Sequence, residues 1–253
     1  MDEACIRDPK KMTAYMEKWL ASQVEKAGAK GIVVGLSGGI DSAVVAAVAV
    51  RIFKDGALGL IMPCHSDPSD AADATVVAKH LHMPHKTIDL TPTFDALASA
   101  VETVEPISNM ARANIKARLR MVTLYGVAQS TSRLVCGTSN RSEWEIGYFT
   151  KHGDSASDLL PLLGLLKCEV RAVASYLGLP NFIIKKPPTA GLWTGQTDEG
   201  EMGFSYDELD RYLTAKPGMQ KKQENQEIIR KIEAMRTKSE HKRLPVPACK
   251  INL

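Results

Sequence analysis

The five cysteines of the sequence, Cys5, Cys64, Cys136, Cys168 and Cys249, form no C-x-x-C pair. That excludes the common zinc and dithiol motifs, and an odd set of scattered thiols fits a reducing compartment. Long apolar runs are absent too. The longest, "AVVAAVAV" at 43–50, falls far short of the roughly 20 residues that a membrane span needs. The first residues, "MDEACIRDPK", lack the basic-then-apolar layout of a secretory signal. Charge of one sign is scarce. The net charge is +3, too small to argue for nucleic acid. No internal repeat or low-complexity tract is visible. The expectation is a cytoplasmic protein with no nucleic-acid and no membrane partner.

What remains is an ordinary globular composition, 44% hydrophobic and 24% charged, over a length of 253 residues that suits one domain, 1–253. Short β-like runs alternate with helical ones. Residues 31–36, 57–62, 85–90 and 133–138 read as strands. Residues 42–53, 69–81, 108–131 and 168–178 read as helices, with Ser69 as an N-cap and Gly178 and Pro180 as stop signals. This alternation predicts an α/β fold with a doubly wound, mostly parallel sheet flanked by helices. Residues 187–222, rich in Pro, Gly, Thr and acids, are long for a loop and predict a lid. A polar helix and a basic, proline-broken tail follow.

The stretch "GLSGGIDSAVVAA" at 35–47 carries the most chemistry. Strand, glycine turn and helix present backbone N–H groups and a helix N-terminus to an anion. Gly38 and Gly39 allow positive φ, and Ser37 and Ser42 offer hydroxyls. The usual phosphate-loop lysine is missing, and Asp41 stands in its place. An acid beside a polyphosphate repels it unless a divalent cation lies between them. The loop therefore predicts phosphates with Mg²⁺, Asp41 being a metal ligand.

Two further stretches add charge to this loop. In "NIKARLRMVTLYGVAQ" at 114–129, Ile115, Leu119 and Val122 form one apolar row and Ala117, Met121, Leu124 and Ala128 another. Arg112, Lys116 and Arg120 share the outer face, while Arg118 falls between the rows. A guanidinium on the buried side needs an anion, either an internal acid or a ligand carboxylate or phosphate. Residues 136–167 open after a strand, where α/β sheets place ligands, and carry Thr138, Glu143, Lys151, Asp154, Asp158 and Lys167.

The string "SGGIDSA" resembles the phosphate loop of the ATP pyrophosphatases, which split ATP between the α- and β-phosphates. With "NIKARLRM", "GTSNRSE", "GYFTKHGD", "DLLPL", "KPPTAGLW", "GQTDE", "SYDELD" and the terminal "HK", the chain resembles ammonia-dependent NAD⁺ synthetase over nearly its whole length. The resemblance implies a Rossmann-like adenine nucleotide alpha-hydrolase fold, and ATP-driven amidation of deamido-NAD⁺ through an adenylated intermediate. It places Gly35, Leu36, Ser37, Gly38, Gly39, Ile40, Asp41, Ser42, Thr138, Lys167 and Thr189 around ATP, with Asp41 and Glu143 on Mg²⁺. It places Arg118, Lys151, Asp158, His241 and Lys242 on deamido-NAD⁺, near the interface of a homodimer. His152 and Ser155 depart from the family pattern. Lys167 and Mg²⁺ would stabilise the departing pyrophosphate, and Asp154 would take a proton from ammonium. The motifs run from 35 to 242 and leave no room for a glutamine amidotransferase domain, so ammonia itself is the expected donor. The competing readings are an ATP pyrophosphatase acting on another substrate, such as tRNA, and a nucleotide sensor without catalysis.

Overall fold

The computed structural model describes residues 7–189, 197–215 and 225–249. The chain opens with α1 (Pro9–Lys26), capped by the Asp8 carboxylate on the Lys10 amide at 2.8 Å. There follow β1 (Ile32–Gly35), α2 (Ile40–Phe53), β2 (Ala57–Ile61), α3 (Pro68–His80), β3 (His85–Thr87), α4 (Thr91–Glu102), α5 (Asn109–Thr131) and β4 (Leu134–Cys136). The remainder is helical: α6 (Arg141–Ile146), α7 (Lys167–Tyr176), α8 (Asn181–Lys185), α9 (Asp198–Met202), α10 (Tyr206–Thr214), α11 (Gln226–Lys238) and α12 (Glu240–Arg243).

The four strands are parallel, in the order β3-β2-β1-β4. The chain winds outward from β1 through β2 to β3, then returns to place β4 on the other side of β1. That reversal opens a crevice beyond the carboxyl ends of β1 and β4, the usual ligand position in such sheets. The pleat divides the core. Ile32 and Val34 face a cluster built with α1, α2, α3, α7 and α8, whereas Val33 faces a second cluster under α4 and α5. The expected doubly wound α/β sheet is present. A third cluster joins Ile146 to Met202, Phe204, Tyr206, Leu209, Ile229 and Ile232.

Several local expectations change. Helix α3 is capped by Asp67, whose carboxylate accepts from the Ser69 amide at 2.9 Å, with Pro68 in its first turn. The third strand stops at Thr87, and Asp89 turns the chain into α4 by accepting from the Thr91 amide. The outer face expected for Arg112, Lys116 and Arg120 is not outside. Helix α4 packs over it, leaving Lys116 9% exposed with its ammonium 5.5 Å from the Phe94 ring centroid. Arg120 turns inward to donate to the Met62 carbonyl and the Ser66 hydroxyl. Arg118, expected on the buried side, is exposed, and Val122 of the apolar row is 60% exposed. Within 187–222, residues 198–202 and 206–214 are helical and feed the third cluster, while 190–196 and 216–222 lie outside the described residues. No helix among the described residues is long and apolar enough to cross a membrane.

Candidate active site

A cavity of about 1180 Å³ lies over the carboxyl ends of β1 and β4. Its floor is the turn after β1. Gly38, at φ +77, lets the turn fold against α3: a Cβ built there meets the Asp70 carbonyl oxygen at 2.5 Å. Gly39 has a different task. It sits at φ −98 as the N-cap of α2 with no side chain over the helix end, so free amides of the first turn face the cavity. The Ser37 and Ser42 hydroxyls lie 3.1 Å apart, and Ser37 Oγ accepts from the Gly39 amide at 3.2 Å.

Asp41, in the first turn of α2, points across the crevice. Its Oδ1 accepts from Asn140 Nδ2 at 2.9 Å and its Oδ2 from Lys167 Nζ at 2.6 Å. Asn140 is fully buried and caps α6, and Glu143 completes the capping box by accepting from the Asn140 amide. The same Glu143 offers Oε1 to Lys167 Nζ at 2.9 Å. Two carboxylates from different elements thus converge on one ammonium that is 2% exposed. Burial opposes the Lys167 charge, but Asp41 and Glu143 outweigh it and hold its pKa above the ordinary value. Burial pushes the Glu143 carboxyl up to about 7, with Lys167 opposing and Asp41 adding to the rise.

Helix α10 closes one side. Tyr206 is completely buried, with its ring 4.8 Å from Lys167 Nζ. Its hydroxyl contacts Asp198 Oδ2 at 2.8 Å and Glu143 Oε1 at 3.3 Å. Asp198 is 4% exposed, and its Oδ1 has no hydrogen-bond partner among the described residues. Burial raises its pKa. Behind Lys167, Asp210 accepts from Ser142 Oγ and from the Cys168 amide, and so fixes the start of α7.

The rim is cationic. Arg118 donates to the Lys151 carbonyl at 3.2 Å, and Lys151 Nζ donates to the His241 carbonyl at 2.7 Å. Lys242 Nζ donates to the carbonyls of Gly147 and Phe149, each at 2.8 Å. Asp154 accepts from the Thr150 amide at 2.8 Å, and burial raises its pKa. All the residues expected in the site line this one cavity except Gly38, which backs the loop, and Asp158. The Asp158 carboxylate is taken up by the Val135 amide at 2.8 Å and the Tyr125 hydroxyl at 3.2 Å, bracing β4. The sequence reading missed Asn140, Ser142, Asp198, Tyr206 and Asp210. Of these, Asn140 was recoverable, since Asn-x-x-Glu before a helix is the pattern of a capping box.

The reversing parallel sheet and its glycine turn define a nucleotide-binding α/β protein of the adenine nucleotide alpha-hydrolase type. A family model, NAD synthase, matches residues 12–246, and the chain belongs to that family. The "NH(3)-dependent NAD(+) synthetase" of Carboxydothermus hydrogenoformans is 47% identical over 233 residues, 91% of this chain and 93% of that protein. Among solved structures, "NMN synthetase from Francisella tularensis" superposes with a TM-score of 0.90 at 38% identity, covering 97% of this chain and 100% of that one. The Campylobacter jejuni NH3-dependent NAD synthetase, in complex with a nitrate ion, gives 0.82 at 29% identity, covering 96% and 100%. A match over 12–246 to NAD synthase sets aside the tRNA-directed reading.

Proposed function

We propose that this chain joins ammonia to the nicotinate carboxyl of deamido-NAD⁺, using ATP and releasing NAD⁺, AMP and pyrophosphate. The nicotinate carboxylate attacks the α-phosphate, pyrophosphate leaves, and ammonia then displaces AMP from the adenylated carbonyl. The observation that carries the reading is the convergence of Asp41 and Glu143 on one point beside the free amides of α2. Acids belong beside a triphosphate only where cations intervene. The donor set, two carboxylates that meet at one point, fits Mg²⁺. Asp41 and Glu143 would hold the ion, which supplies neutralisation between two anionic substrates when bound. The loop amides and Ser37 orient the phosphates, Lys167 offsets charge on the departing pyrophosphate, and Asp154 accepts a proton from ammonium. Arg118, Lys151, His241 and Lys242 form the side that takes the dinucleotide.

The test is an assay with Mg-ATP and ammonium, with deamido-NAD⁺ added or omitted, following pyrophosphate and NAD⁺. Turnover that ignores the dinucleotide would reject the reading, and absence of turnover would favour a sensor. The Francisella relative, with its TM-score of 0.90, favours one second reading: amidation of the mononucleotide. Running nicotinate mononucleotide beside deamido-NAD⁺ separates the two by kcat/KM.

Two further parts of the proposal have their own tests. The segment 187–222 is assigned as a lid on its composition, so proteolytic cleavage within it should slow when ATP and deamido-NAD⁺ are both present. Equal rates would remove the lid. Helix α5 packs on a second copy through the face that leaves Met110 52% and Val122 60% exposed. Light scattering should report a dimer, and a monomer for Val122→Glu.

A further inference from the structure

Lys186 opens the "KPPTAGLW" stretch, in which only Thr189 has so far been given a task, and it lines the same cavity. It follows α8, whose Ile183 is wholly buried in the main core, so its backbone rests on a rigid base. Its ammonium reaches α3, donating to Asp70 Oδ1 at 2.9 Å and to Asp73 Oδ2 at 2.5 Å. The same turn of α3 backs the phosphate loop, for the Asp70 carbonyl, Asp73 Cβ and the Ala74 amide are the atoms nearest a Cβ built at Gly38. Three residues further on comes Thr189, and the Pro188 carbonyl accepts from the Asp198 amide at 3.0 Å, which ties this stretch to α9.

The charge arithmetic at this end of the loop is unfavourable without the lysine. Two carboxylates would stand directly behind a turn built to receive a polyphosphate, and Lys186 leaves the cluster with one net negative charge. An ammonium carries three donors, of which the two acids take two. All three side chains are about three-quarters buried, at 22%, 22% and 26% exposure, so the charges are only partly screened. The acids hold the ammonium in place and leave its third N–H for the cavity.

We propose that Lys186 binds the outer phosphates of ATP, the part that leaves as pyrophosphate, and that Asp70 and Asp73 orient it for this task. The inference rests on the reading of the cavity as an ATP site. It gives the departing pyrophosphate a second lysine, Lys167 acting from the α2 and α6 side and Lys186 from the α3 side.

The test uses the full-length protein with calorimetric titration of Mg-pyrophosphate and, separately, of AMP. Lys186→Met should weaken pyrophosphate about ten- to a hundredfold, as loss of one charge-assisted hydrogen bond implies, and leave AMP within about threefold. Lys186→Arg keeps the charge and should retain most of the pyrophosphate affinity. Asp73→Asn keeps a carbonyl acceptor for the ammonium, and Asp70 still holds it, while a negative charge behind the phosphates is lost, so pyrophosphate should bind no more weakly than to the wild type. A clamp joining α8 to α3 without phosphate contact gives another pattern: Lys186→Met and Asp73→Asn then weaken both ligands alike. That pattern, or unchanged pyrophosphate affinity in Lys186→Met, overturns the proposal. If the wild type binds no pyrophosphate and makes no NAD⁺, the ATP-site reading fails and the proposal with it. NAD⁺ formation with unaltered Lys186→Met affinity leaves that reading standing and removes only this inference.

Discussion

Replacing Lys167 by methionine removes the one cation on which Asp41 and Glu143 converge. The side chains of the lysine and the two acids are 2%, 17% and 16% exposed, so neither carboxylate gains full hydration in return. Breaking a buried ion pair by deleting one partner costs about 3–5 kcal/mol. Both acids open onto the cavity, which places the expected loss near the lower end, about 3 kcal/mol. For a chain of this size each kcal/mol lowers Tm by about 2–4 °C, giving a drop of about 6–12 °C. Mg²⁺ should then act in opposite proportion. If Asp41 and Glu143 hold Mg²⁺ as proposed, the wild-type ammonium competes with the ion for the same two oxygens, and in Lys167→Met nothing does. Thermal unfolding in chelator and then in millimolar Mg²⁺ should show a larger rise for the variant than for the wild type. The double variant Lys167→Met/Glu143→Gln relieves half of the uncompensated charge and should recover part of the loss. A Tm for Lys167→Met within about 2 °C of the wild type, or a Mg²⁺ response no larger than the wild type's, would refute the reasoning.

Other perturbations address single contacts. Tyr206→Phe removes the 2.8 Å hydrogen bond that the buried Asp198 Oδ2 accepts and should cost about 1–3 kcal/mol by thermal unfolding. Gly147→Ala meets two obstacles, φ +66 and a Cβ 2.2 Å from that of Ser239. It should cost more than about 2 kcal/mol and, by displacing the Ser239–Lys242 turn, raise the KM for the dinucleotide more than that for ATP. Asp158→Asn disturbs the brace on β4, so unfolding should register it before KM does; a raised dinucleotide KM with unchanged Tm would restore Asp158 to the binding site. Gly38→Ala pushes the loop off α3 and should weaken pyrophosphate binding in calorimetry, while Gly39→Ala, at φ −98 and 3.2 Å from Ser37 Oγ, should be milder.

The parts legible in the sequence are those decided within a few residues. The turn after β1 needs its glycines, Asp41 and Ser42 in one short stretch, and the alternation of apolar runs conveys the parallel sheet. What escaped depends on partners far along the chain. Periodicity within 114–129 identified faces of α5 but not what covers them. With α4 unforeseen, the Lys116 and Arg120 face passed for the outside, although Phe94 and the Met62 carbonyl await it within the fold. Tyr206 and Asp198 escaped for a related reason. They lie in a polar, glycine-rich segment whose composition suggests a loop, and their burial follows from a cluster with Ile146 and Ile232 on distant helices. Asp158 shows a partner that spacing could not convey, since its carboxylate accepts from the Val135 amide in β4 and from the Tyr125 hydroxyl.

The placement of these acids explains why the sheet reversal matters to chemistry. Asp41 arrives from α2 beside β1 and Glu143 from α6 beyond β4, so the two can meet only across the crevice that the reversal opens. Asp198 and Tyr206 come from helices outside the sheet layers and add a third carboxylate to the same region. One ammonium therefore faces three acids, a local deficit of positive charge; burial first, with Asp41 and Asp198 adding and Lys167 opposing, pushes the Glu143 carboxyl up to about 7 from an ordinary 4.5. Binding a nucleotide that brings its own cation relieves the deficit, whereas binding a bare triphosphate deepens it. If Asp41 and Glu143 hold Mg²⁺ as proposed, the acid-rich floor would discriminate between the metal-bound and the free nucleotide before any reaction begins, a selectivity that a lysine in the loop, the ordinary phosphate-loop arrangement, would not provide.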